Sequence, residues 1–350
     1  MGSVPKFRNS TERAAFAHEL ACLTRAGLPL DRALGVVGRV AQAPAARRLA
    51  QALQEDVRGG ASLSEALAAR EGAFDAFHVS MVRAAEAAGR LGEGLERLAA
   101  HEESRLRLRS RIVQALAYPM LLALVAGASL VLIVAYVVPQ FRALFADAGE
   151  ALPLPTVIVI STATFLGRYA WLIAAFVVLA ALGARRYLGT PAGRYGADGL
   201  LLRLPLAGSL VRAAQMARFS RGLATLLASG VPLLAALPVV RELLSNRVLA
   251  DAVDLAADAL KGGGGLAAPL ASSGLFPALG MQMLQVGEET GRLEEMLASV
   301  ATLYEREVGV ALERLVAVLE PVLIVGLGAV IAGTILSLLL ALVAVHDLPL

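Results

Sequence analysis

The chain has 350 residues, of which 57% are hydrophobic and only 17% are charged, and its mean hydropathy is +0.67. A soluble globular protein is about half apolar and about a quarter charged, so this composition indicates long lipid-facing segments. The net charge is +3 and no basic block is interleaved with aromatic residues, which disfavours nucleic acid as a partner. Cys22 is the single cysteine, so an intramolecular disulfide is excluded.

The N-terminal part of the chain is predicted to be a helical bundle. Residues 1–13 are polar and lack an apolar core, so no cleavable signal peptide is expected. Ser62 and Glu65 are spaced as a capping box, in which the serine hydroxyl accepts from the amide of the third helical residue. Apolar spacing together with glycine and proline signals predicts six helices. They run over 10–26, 29–41, 44–58, 62–70, 75–88 and 91–111, the last continuing into a membrane span.

Three segments are predicted to span a membrane. Residues 112–138 and 321–345 contain no Asp, Glu, Lys or Arg, and each exceeds the ~20 residues that cross about 30 Å of hydrocarbon. A third span is predicted over 164–184. It contains one charge, Arg168, which lies close enough to the end of the span for its side chain to reach the interface.

The distribution of arginine predicts the orientation in the membrane. The predicted connection over 139–163 contains only Arg142, and the tail over 346–350 contains no basic residue. Arginines cluster instead before the first span and after the second, at 97, 105, 107, 109, 111, 185, 186, 194 and 203. The positive-inside rule therefore predicts a multi-pass protein of the bacterial inner membrane, with a cytoplasmic N-terminus, a periplasmic connection and a periplasmic C-terminal tail.

The sequence contains a long internal repeat. Residues 16–34 and 219–237 share nine of nineteen positions at an offset of 203. A second block, from Met81 to Leu95, recurs at an offset of 202. Duplication predicts an all-α fold with two cytoplasmic six-helix bundles, over 1–111 and 185–320, in addition to the three transmembrane helices.

Several motifs recur in order in the two halves. Ala-Gly-Leu-Pro-Leu at 26–30 is matched by Ser-Gly-Val-Pro-Leu at 229–233, and Glu-x-x-Gly-Arg-Leu occurs at 86–91 and at 288–293. A Gly-x-Ser-Leu-Ser-x-Ala-Leu turn lies at 60–67. With these motifs the chain resembles the platform protein of type II secretion and type IV pilus machines, the GspF/PilC family.

The resemblance implies a function and partners. It implies an inner-membrane platform that couples a cytoplasmic secretion ATPase to pseudopilus assembly and protein export, with a type IV pilus assembly platform as the alternative. It also implies contacts with other inner-membrane secretion components and pseudopilins, and a homo-oligomer. Family members usually carry a further segment before the first repeat, and a contact made by that segment is expected to be absent or supplied elsewhere. The residues leave open the branch, the oligomeric state, the ATPase-binding surface and the cargo.

Two other function classes are disfavoured. A repeat-containing transporter is a remote alternative, because 112–138 and 321–345 place no acidic or basic side chain in the membrane. The glycine run 262–265 follows Lys261 instead of preceding a lysine, so it does not form a phosphate-binding loop. No catalytic or cofactor-binding residue is predicted, and we expect no enzyme activity.

No metal site with a complete ligand set is predicted. His18 and Cys22 share a helix face, but no other cysteine completes a site. Glu86 and Glu288 each lie three residues before a glycine that ends a helix, where the helix dipole disfavours a carboxylate. One interpretation is structural: a pair with the nearby arginine at 90 or 292, or an amide cap on the next helix. The other is a partner or cation contact made by Glu86, Glu288 and the neighbouring Glu289.

The last predicted span has features of a packed membrane helix. Gly326, Gly328 and Gly333 give it a small-residue face, which predicts close packing against another helix in an oligomer. Pro119 and Pro321 lie 202 residues apart, and each is predicted to mark the start of its membrane helix.

Overall fold

The computed structural model describes residues 10–70, 73–132, 169, 171–172, 175–176, 178–180 and 182–346. The regular elements in this part of the chain are α-helices, which confirms the all-α class. The described residues fall into two compact units. One combines the chain up to Arg111 with Arg194–Val310, and the other combines Ile112–Gly193 with the chain from Ala311.

Six helices make up the first set: α1 (Ser10–Arg25), α2 (Leu30–Val40), α3 (Pro44–Arg58), α4 (Leu63–Ala68), α5 (Ala76–Ala87) and α6 (Leu91–Leu132). The predicted bounds of the first five helices, and the start of the sixth, agree with these to within two residues. Gly27 illustrates why the helix ends could be predicted from the sequence. It ends α1 with a φ of 84°, a conformation that glycine adopts without a steric penalty.

The second set contains seven helices in the described part of the chain, one more than the predicted six. It comprises α7 (Pro191–Arg203), α8 (Pro205–Ala228), α9 (Leu233–Leu243), α10 (Arg247–Lys261), α11 (Ala267–Ser272), α12 (Ala278–Thr290) and α13 (Leu293–His346). Helices α2 and α9 both have 11 residues, α3 and α10 both have 15, and α4 and α11 both have 6. The helices α8 to α13 therefore follow the order of α1 to α6, whereas α7 has no counterpart in the first set. Helices α8, α12 and α13 are longer than α1, α5 and α6.

The cores of the two sets are built from matching aromatic residues. Phe16 packs on Phe74 with ring centroids 6.2 Å apart, and Phe219 packs on Phe276 at 5.8 Å. Phe16 and Phe219 are both buried, and both rings are tilted against their partners. Burial of such a side chain stabilises a fold by about 1.5–3 kcal/mol, and a tilted pair adds roughly 0.5–1.5 kcal/mol.

The described residues contain one helix that is long and apolar enough to cross a membrane. It is the Leu293–Gly333 part of α13, whose most apolar window has a mean hydropathy of 2.5 and is not buried by the protein. Ala117–Ser129 of α6 is a shorter apolar helix. The predicted connection over 139–163 lies outside the described residues, as do ten of the 21 residues of the predicted span over 164–184. The three-span topology stays a prediction.

Two prolines lie at positions in their helices that differ from the prediction. Pro119 lies inside α6 and Pro321 lies inside α13, so the prediction that each marks a helix start is wrong. A proline removes a single amide donor, and these helices have 42 and 54 residues. Each helix continues into a long apolar segment after its proline, and neighbouring groups can satisfy the freed carbonyl in a membrane helix.

Candidate functional site: the glutamate turns and the buried charge cluster

The carboxylate of Glu86, in the last turn of α5, caps the first turn of α4. Its Oε1 accepts from the Leu63 amide at 2.6 Å and its Oε2 accepts from the Ser64 amide at 3.1 Å. These amides belong to the first turn of a helix, where no intrahelical acceptor exists. The predicted capping box is confirmed beside them, because the Glu65 amide donates to Ser62 Oγ at 3.1 Å and the Ser62 amide donates to Glu65 Oε2 at 2.9 Å.

Glu288 makes the same contact in the second set. Its Oε1 accepts from the Leu266 amide at 2.5 Å, and its Oε2 accepts from the Ala267 amide at 3.0 Å. Gly265 leaves room for this carboxylate, since a Cβ at that position would lie 3.0 Å from Glu288 Oε1. Helix α11 has no side-chain cap at its own N-cap residue, so the carboxylate is the group that satisfies these amides.

These contacts show what the two glutamates do within the fold. Each caps the helix that precedes its own, whereas the sequence argument considered a cap on the following helix. Arg90 donates through Nε to Glu93 Oε1 at 3.1 Å. Glu289 is exposed, and its Oε1 accepts from Gln285 Nε2 at 2.9 Å. The described residues hold no group of three His, Cys, Asp or Glu side chains that could bind a metal. A partner or cation contact at Glu86, Glu288 and Glu289 stays a prediction.

The sequence argument missed a buried charge cluster that joins α1, α5 and α6. The His78 side chain is fully buried, with Nδ1 2.5 Å from Asp75 Oδ1 and Nε2 3.3 Å from Glu102 Oε1. Glu102 is also fully buried, and it accepts from Arg13 Nε and from Arg105 Nη1, both at 3.1 Å. Asp75 Oδ1 additionally accepts from the His78 amide at 3.2 Å, which caps the start of α5.

The contacts within this cluster favour the charged form of each group, although burial opposes it. Burial opposes a charge on His78, but the contacts with Asp75 and Glu102 raise the pKa of this imidazole above its usual value of 6.5. Burial likewise opposes a charge on Glu102, but the contact with His78 and the charges of His78 and Arg13 lower its pKa from 4.5 to about 2. The same histidine holds the pKa of Asp75 well below its usual range against the effect of burial. The three groups therefore stabilise one another in their charged forms.

The second set joins the corresponding helices without these charges. The matching positions carry Met216 for Arg13, Gly280 for His78 and Tyr304 for Glu102. The Tyr304 hydroxyl accepts from the Gly280 amide at 3.2 Å, which satisfies a donor in the first turn of α12. A Cβ on Gly280 would lie 2.7 Å from the Met216 methyl group, so the side chains pack closely here. One set is therefore joined by charges and the other by packing and a neutral hydrogen bond.

The three predicted packing glycines lie at open positions of α13. Gly326, Gly328 and Gly333 are exposed, and a Cβ added to any of them would meet nothing within 4 Å. Gly326 and Gly333 are seven residues apart and share one face of the helix, whereas Gly328 lies on the opposite side, so the predicted single small-residue face holds only two of the three. The oligomer contact stays a prediction.

Comparisons with known proteins identify the family. The family described as type II secretion system (T2SS), protein F, matches residues 16–139 and 219–341. The two matches begin at Phe16 and Phe219, the paired aromatic positions of the two sets. One family description therefore fits both halves of the chain.

Individual relatives cover nearly the whole chain. The type II secretion system protein F of Xanthomonas campestris pv. campestris is 40% identical over 309 residues, which is 88% of this chain and 76% of the relative. The type 4 fimbrial assembly protein PilC of Pseudomonas putida is 38% identical, covering 96% of this chain and 84% of the relative. The type IV pilus assembly protein PilC of Thermus thermophilus is 36% identical, covering 94% and 81%. The chain belongs to the type II secretion system protein F family.

Proposed function

We propose that the chain is an inner-membrane platform of a type II secretion system, which couples a cytoplasmic ATPase to pseudopilus assembly and protein export. The observation that carries this proposal is the double match to one family, in two segments that each contain the same helix order. The 40% identity to a type II secretion protein F supports the secretion branch.

The proposal includes two copies of one bundle on the cytoplasmic side and three spans in the membrane. Helices α6 and α13 each continue without a break from charged residues into an uncharged apolar segment. Because a continuous helix moves as a body, a shift imposed on a bundle would be passed along α6 or α13 toward the bilayer. Such coupling requires no catalytic group in this chain, and ATP hydrolysis is assigned to the partner.

Glu289 is the best candidate for the contact with the ATPase. Glu86 and Glu288 use both carboxylate oxygens within the fold, whereas Glu289 is exposed and makes one local contact. Glu289→Lys is therefore expected to weaken co-purification of the full-length, detergent-solubilised chain with the secretion ATPase of the same organism. Glu55→Lys, at an exposed acid of the first set, is the matched control. Equal retention of the ATPase by both variants would remove Glu289 from the interface.

Pilus assembly is the second candidate, and the 38% identity to a type 4 fimbrial assembly protein PilC favours it. Deletion of the gene in the source bacterium separates the two branches. The secretion branch predicts loss of exoprotein release with normal twitching, restored by the wild-type gene. Loss of twitching with normal release would assign the chain to pilus assembly. A strain with both activities intact would contradict the platform function.

A further inference from the structure

Helices α6, α8 and α13 line a cleft that the platform function does not explain. Its volume is about 480 Å³, within the range of roughly 300–1,000 Å³ that is usual for small-molecule sites. Small side chains line much of the wall. They are the alanines at 100, 224, 228 and 298. The cleft is therefore kept open by short side chains, and a leucine at one of these positions would narrow it.

A buried histidine without a hydrogen-bond partner lines this cleft. His101 is 6% exposed, its ring lies 4.3 Å from the Phe77 ring, and both of its ring nitrogens lack a partner. Burial lowers the pKa of His101 to about 4, so the ring is neutral at pH 7, with one donor and one acceptor. Leaving such buried groups unpaired costs about 1–3 kcal/mol.

The charges around the cleft favour an anion. Glu305 is neutralised, because its carboxylate accepts from Arg221 Nε at 2.9 Å and from Arg221 Nη2 at 2.8 Å. Arg97 donates to the Ala228 carbonyl, and Arg107 donates to Glu103 at 3.3 Å. These two guanidinium groups are partly exposed, so further donors remain available to a ligand. Glu294 is the remaining acid of the lining.

We propose that this cleft binds a small soluble phosphate-bearing anion, which Arg97 and Arg107 hold by charge-assisted hydrogen bonds beside the buried ring of His101. Arginine suits this task because its planar donors match two phosphate oxygens at once. The second set cannot form an equivalent site with a histidine, because the position that matches His101 is Leu303.

Histidine resonances of the full-length chain in phosphatidylcholine nanodiscs test the proposal. Inorganic pyrophosphate is the probe, and the His101 signal is assigned by its loss in His101→Gln. We expect a saturable shift of the His101 signal, with His18, which lies outside the cleft, unchanged. Arg97→Gln combined with Arg107→Gln should weaken binding by about tenfold or more, the effect expected from losing charge-assisted hydrogen bonds. Both arginines are partly exposed, so the variant should fold.

Arg32→Gln combined with Arg39→Gln is the matched control, since it removes two exposed arginines of α2 that do not line the cleft. It should bind pyrophosphate as the wild type does. Equal weakening by the two double variants, or no saturable shift of His101, would overturn the proposal. A shift of His101 on exchange into phosphatidylglycerol nanodiscs without pyrophosphate would overturn the assignment to a soluble ligand.

Discussion

Glu102→Gln is expected to loosen the first helix set and leave the second unchanged. The Glu102 side chain is fully buried and contacts Arg13, Arg105 and His78. Its pKa falls from 4.5 to about 2 on folding, and each unit corresponds to about 1.36 kcal/mol, so the ionised carboxylate contributes about 3 kcal/mol. Because the folded pKa lies below the unfolded value, this contribution is complete above about pH 4.5 and is lost as the pH falls through about 2.

Hydrogen exchange measured by mass spectrometry on the full-length chain in nanodiscs can resolve this effect. At pH 7, a loss of about 3 kcal/mol should speed exchange of α1, α5 and the first turns of α6 by about two orders of magnitude. Tyr304→Phe is the matched control, because Tyr304 occupies the position in the second set that corresponds to Glu102 and makes a neutral hydrogen bond. Tyr304→Phe should lower stability by about 1 kcal/mol, and the faster exchange should be confined to α12 and α13. Wild-type exchange in Glu102→Gln would refute the reasoning.

Three further outcomes are expected from the same exchange measurement. The pKa of His78 is raised above 6.5, so its contribution to stability is present below pH 6.5 and is lost as the pH rises through the pKa of the folded state. Hydrogen exchange of α5, corrected for the intrinsic exchange rate of the amides, should therefore indicate more frequent opening at alkaline pH. An opening frequency that does not change with pH would contradict this. Glu86→Gln should destabilise α4, and Glu288→Gln should destabilise α11, each by about 1 kcal/mol; unchanged exchange would show that these caps add nothing. Gly94→Ala should lower the stability of the first helix set by about 1–3 kcal/mol, because the added methyl group would lie 2.2 Å from a side-chain carbon of α5. The control Gly92→Ala meets nothing closer than 3.6 Å and should be nearly neutral. Equal effects of the two variants would refute the packing argument.

The sequence was sufficient for the helix order because local signals define helix ends. Gly27, Pro29 and the Ser62–Glu65 box act within a few residues, and the structure has helix ends at these signals. The repeat was also readable, since its two copies lie on one chain and can be compared directly. These features depend on short-range chemistry, which a single sequence contains in full.

Long-range contacts could not be read in the same way. Arg13 and Glu102 are 89 residues apart, and no local pattern shows that α1 brings them together. The partners of Glu86 lie 22 and 23 residues earlier, so its position in a last turn suggested an unfavourable carboxylate, whereas tertiary structure gives it two amides. A comparison of the two copies contains a signal for the charge cluster. The charged positions of the first copy correspond to the uncharged Met216, Gly280 and Tyr304 of the second.

The account depends most directly on the cytoplasmic location of the first helix set, where the ATPase partner would meet it. Cys22 is the only cysteine of the chain and is exposed on α1, so it reports this location without an engineered label site. A membrane-impermeant maleimide should label Cys22 in inside-out membrane vesicles and leave it unlabelled in intact spheroplasts. Labelling in intact spheroplasts would place this helix set outside the cytoplasm and contradict the account.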